Sequence, residues 1–112
     1  MSVRAYLPTT LDLLARFHAD GVVPVGADPI TAEDDSEEAE YAALMAAADA
    51  SAALLDGPGR RVVLVAEVPE GAASVPVRLV ASVHVDTRED ADPDDDLAWY
   101  ATQEIPELIE GR

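Results

Sequence analysis

Hydrophobic and polar positions in this chain change period several times, and each change marks an element. Val3-Arg4-Ala5-Tyr6-Leu7 alternates and stops at Pro8, the pattern of a short strand. Thr9 or Thr10 then offers an N-cap for Leu11 to Ala19. There Leu11, Leu14 and His18 recur at helical spacing, Leu13 and Phe17 widen the apolar face, and Gly21 closes the segment. Val22 to Asp35 holds Gly, Pro and then acids, and reads as a loop with a short extended piece at Val22–Val25.

A long helix follows. Asp35 with Glu38 resembles a capping box, and acids crowd the first turn, where the helix dipole favours them. Tyr41, Leu44, Met45, Ala48, Ala52 and Leu55 form an apolar stripe that Gly57-Pro58-Gly59 ends. Arg61 to Val68 and Val77 to Val85 are rich in β-branched residues, and Pro69 to Ser74 between them makes a hairpin with a long loop. Thr87 to Asp96 is acidic loop. Asp92-Pro93-Asp94-Asp95 suits a helix start, whereas Leu97 to Thr102 carries Trp99, Tyr100 and Thr102, which favour a strand; the strand is preferred, with a helical turn at Pro106 to Ile109.

The order strand, helix, helix, strand, strand, acidic linker, strand predicts one α+β domain over residues 1–112. The expected architecture is a mostly antiparallel sheet with helices on one face. It is ferredoxin-like, βα(α)ββ(α)β, with a reduced second crossover. Charge suggests the hairpin register. With Glu67 opposite Arg78, Val65 faces Val80, Val63 faces Ser82 and Arg61 faces His84. One hairpin face is then wholly apolar, and a slip by one residue buries charge. The other face sets Val63, Val65 and Val80 among Arg61, Glu67, Arg78, Ser82, His84 and Asp86. A hydrophobic centre with a polar rim has the anatomy of a protein interface. These residues are the candidate interaction face, unless the C-terminal segment covers the valines with Trp99.

Composition narrows the classes. The chain has 112 residues and is 49% hydrophobic, too apolar for a disordered acidic tail. Its 23 acids stand against 7 basic residues, all of them Arg, for a net charge of -16. Lys and Asn are absent, as a GC-rich genome would bias them, so part of the acidity reflects codon supply. No basic stripe answers a phosphate backbone or an anionic membrane, so neither nucleic acid nor membrane is an expected partner. With no Cys there is no disulfide, thiolate or zinc ribbon. No leader-like apolar run or membrane-length stretch is present, and the chain reads as cytoplasmic.

The chemistry-bearing residues are sparse. Ser82 and His84 lie i and i+2 on one strand, about 7 Å apart by strand rise, so direct activation looks strained. His18 fits a helix C-terminus. Asp92, Asp94 and Asp96 open like a calcium loop, but Leu97 replaces its Gly and Gln103 its twelfth-position Glu. Acidic mimicry of nucleic acid needs ordered carboxylates, and most of these fall in loops. No cofactor or metal site is expected.

Four segments carry a resemblance: Val3 to Leu11, Glu38 to Leu44, Arg60-Arg61-Val62-Val63, and Trp99-Tyr100-Ala101-Thr102-Gln103-Glu104-Ile105-Pro106. Together they resemble an uncharacterised family of small actinobacterial proteins, a domain of unknown function, whose members are often longer before the Trp-Tyr motif. The resemblance implies a cytosolic bacterial domain and transfers no catalytic or binding residue. The expected role is non-enzymatic, through a protein partner or a homodimer. The competing expectation is a small-ligand binder or enzyme using Arg61, Arg78 and His84, with Trp99 and Tyr100 as an aromatic wall.

Overall fold

The computed structural model describes residues 1–112. Five strands build its central sheet: β1 (Ser2–Thr9), β3 (Ile30–Thr31), β4 (Val62–Pro69), β6 (Val80–Val85) and β7 (Ala98–Tyr100). Their order is β3-β1-β4-β6-β7, and every neighbouring pair is antiparallel. A separate ribbon pairs β2 (Val22–Pro24) with β5 (Ser74–Pro76). Three helices complete the fold: α1 (Leu11–Asp20), α2 (Glu37–Leu54) and α3 (Ile105–Glu110). The class is α+β, as expected, but the connection departs from the ferredoxin-like one. A split βαβ unit joins two parallel strands separated by a third. Here the chain that leaves β1 through α1 and α2 returns as β4, the immediate antiparallel neighbour of β1.

The helices do not share one face. Leu7, Leu64, Ala66, Val83 and Val85 pack with α1, the ribbon and Ile105 of α3 in the larger core. Tyr6, Val63 and Val65 pack beneath Ala43, Ala47 and Ala48 of α2 in a second, smaller core. The result is three layers with β4 at the centre. That burial suits its sequence, since Val62-Val63-Leu64-Val65-Ala66 is continuous apolar, the mark of a strand covered on both sides. The open valine face expected from the sequence is therefore closed, and α2 closes it instead of Trp99.

Local signals explain the ends of the elements. The Thr10 hydroxyl accepts the Leu13 N–H at 3.1 Å, and Gly21 ends α1 with φ 82°, a left-handed conformation that favours glycine. Ser36 caps α2 in place of Asp35, its hydroxyl accepting the Ala39 N–H at 3.1 Å. The inner face of α2 is Ala43, Ala47, Ala48 and Ser51, while Tyr41 and Ala52 of the expected stripe are exposed. Alanines let the helix lie close to the sheet. Ser51 exploits that approach: its hydroxyl donates to the Thr9 carbonyl at 2.6 Å and accepts the Val62 N–H at 2.8 Å.

The hairpin register also differs. Val63 faces His84 and Val65 faces Ser82, so β6 is displaced by two positions and the parity of both faces is kept. Beyond Val65 the ladder shifts, Ala66 pairs Val80, and Ala81 is the extra, exposed residue of a bulge. The bulge turns Val80 into the larger core. Residues 77–79 form a 3-10 turn instead of strand, which leaves Arg78 exposed on a connection. The C-terminal segment is a strand at Ala98–Tyr100, and α3 then packs on α1. No helix is long and apolar enough to cross a membrane.

Candidate functional site

The two ends of the α2-covered face differ. Towards the C-terminal half of α2, the alanines and Ser51 seal it. Towards the first turns of α2, a cleft of about 330 Å³ opens between the helix and the sheet. Glu37, Glu40, Tyr41 and Leu44 line it from α2. Arg4 and Tyr6 come from β1, Val65 from β4, Ser82 and His84 from β6, and Trp99 from β7. An adjoining recess of about 500 Å³ shares Arg4, Tyr6 and Glu40, and adds Asp34, Asp35 and Glu67.

Register assembles the cleft. His84 stands opposite Trp99, Tyr6 opposite Val65, and Arg4 opposite Glu67, so these side chains occupy one face of the sheet. Trp99, the only tryptophan, is 62% exposed on the edge strand, and Tyr41 is 50% exposed on the helix. The Tyr41 hydroxyl donates to Asp96 Oδ1 at 2.8 Å, which raises its pKa. Arg4 donates to Glu67 at 3.2 Å and to Glu40 at 3.1 Å. The Glu67 hydrogen bond raises the pKa of the Arg4 guanidinium.

Ser82 Oγ and His84 Nε2 are hydrogen-bonded at 3.0 Å, a contact that strand rise alone argued against. Both side chains lie on the same face of β6, and the imidazole spans the i, i+2 spacing. Burial lowers the His84 pKa, so the imidazole is neutral at pH 7.

The remaining face residues lie elsewhere. Arg61 is 5% exposed and donates to both carboxylate oxygens of Asp86 at 2.8 Å. It also donates to the carbonyls of Asp92, Pro93 and Asp95, at 3.1, 2.9 and 2.9 Å. The loop that resembles a calcium site thus turns its carbonyl oxygens onto a guanidinium. Of the expected face, Val65, Ser82 and His84 line the cleft, Glu67 lines the adjoining recess, and Val63 lies under α2. Arg61, Arg78 and Val80 are apart from it, and Tyr100 packs on the opposite core.

Residues 3–109 match the family described as a Family of unknown function (DUF6912). The chain belongs to this family. No curated protein and no solved structure matches it. In this DUF6912 domain, Arg4, Tyr6, Glu37, Glu40 and Tyr41 are the cleft residues that sequence reasoning missed. The signal was present in Val62 to Ala66, since an unbroken apolar run requires a layer on each face and so brings α2 over β1 and β4.

Proposed function

We propose that this chain is a non-enzymatic binding domain acting through protein contact, with the α2–β7 cleft as its contact site. Trp99 carries the reading. A tryptophan left mostly in water at the wall of a recess, with a half-exposed tyrosine lining the same recess, has the composition of an interface hot spot. With the valines covered, a homodimer through that patch has no support, and contact shifts to the aromatic edge. A cytoplasmic setting suits a chain without cysteine, which needs no oxidising compartment.

A photo-crosslinking residue at position 99 should capture a specific partner from the native host, while the same residue at exposed position 78 should not. Equal capture at both positions, or none at either, would overturn the reading. The Ser82–His84 hydrogen bond favours a second reading, a hydrolytic pair. Against it, Asp86, the acid nearest along β6, is committed to Arg61, and Ser82 is only 8% exposed. Ester hydrolysis abolished by Ser82→Ala would establish that reading instead.

A further inference from the structure

We infer that the cleft takes a cationic side chain, an arginine or a lysine, presented by a basic segment of a partner protein. The inference rests on the cleft being a contact site and names what enters it. Its walls supply aromatic surface from Trp99 and Tyr41, which attracts a cation held over the ring faces. Its mouth supplies carboxylates. Glu37 and Glu40 project from the first turn of α2, and the structure gives Glu37 no ion-pair partner.

The only cation lining the cleft is Arg4, and Glu40 and Glu67 already hold it. Its position shows that a guanidinium is accommodated at this carboxylate edge. His84 adds no opposing charge while neutral. The N-terminus of α2 contributes about half a positive charge, but Glu37, Glu38 and Glu40 in its first turn outweigh that. A volume of about 330 Å³ suits one long side chain. The net charge of -16 steers basic partners inward and turns phosphates away.

The sole tryptophan reports occupancy. An arginine-rich octapeptide titrated at low salt should change Trp99 fluorescence saturably, and the same peptide with citrulline for arginine should not. Glu37→Gln and Tyr41→Ala should each weaken binding about tenfold. Tyr41→Phe, which keeps the ring, should retain it, and so should Glu89→Gln, a carboxylate outside the cleft. Equal binding of the citrulline peptide, an equal loss in Glu89→Gln, or no saturable change would overturn the inference. Crosslinking at position 99 separates the two ideas: continued capture there retains the contact site without its cation preference, and loss of both removes the site.

Discussion

Ser51 shows how much one hydroxyl can hold. It is fully buried and joins the end of β1 to the start of β4, donating to the Thr9 carbonyl and accepting the Val62 N–H; Thr9 and Val62 are register partners at the end of the ladder. Ser51→Ala removes both hydrogen bonds from a buried layer, and should cost about 1–3 kcal/mol, read as a lower urea midpoint with unchanged slope. His84 is a titrating counterpart. Its folded pKa lies below the ordinary 6.5, so the unfolded chain binds the proton first as pH falls. The stability that neutral His84 permits is present above pH 6.5 and is lost as pH drops from there towards the folded pKa. Melting temperatures from about pH 8 to about pH 5.5 should therefore fall more for the native chain than for His84→Gln. Parallel curves would mean that His84 titrates alike in both states. Neither role is legible in the sequence: a serine amid alanines gives no period, and strand rise alone argues against the Ser82–His84 contact.

At the scale of elements, the sequence spoke clearly where period and punctuation agree. The limits of α1, the long α2 and the strand at Trp99 follow from caps, glycines and the aromatic pair Trp99-Tyr100. The face of α2 was harder to read, because alanine is apolar on every side and the stripe can be drawn at several rotations. Which rotation wins depends on the closeness of the sheet and on Ser51, both tertiary facts. The hairpin register failed for a related reason. Opposing Glu67 to Arg78 was sensible for an isolated pair of strands, but β1 supplies Arg4 to Glu67 from the other side. The acidic segment after β6 reads as loop and is one, yet Arg61 gathers three of its carbonyls, which spacing does not show. Asp86→Asn should therefore act twice. It weakens a buried pair whose loss costs about 3–5 kcal/mol, and it frees the loop, so hydrogen exchange should quicken over residues 87–96. Replacing both partners, with Arg61→Met and Asp86→Leu, should recover much of the stability but not the slow exchange. Recovery of both would show that the loop is ordered without the guanidinium.

Over the whole molecule, acid acts in two opposed ways. The 23 carboxylates exceed the 7 arginines so far that most have no ion-pair partner. The exposed pairs Arg4–Glu40, Arg4–Glu67, Arg88–Asp90, Arg88–Asp95 and Arg112–Asp12 relieve this only locally. Raising sodium chloride from about 10 mM to about 150 mM shortens the screening length to about 8 Å. Self-repulsion then weakens more than these few attractions, and the melting temperature should rise. The same screening should weaken entry of a cation into the cleft, where attraction between opposite charges does the work. Fold stability and basic-peptide affinity should thus move in opposite directions across one salt titration, read by melting and by Trp99 fluorescence on the same samples. If both rise together, the peptide is held by apolar contact with Trp99 and Tyr41. If the melting temperature is flat, the carboxylates are too dispersed to strain the fold, and the acid matters at the cleft alone.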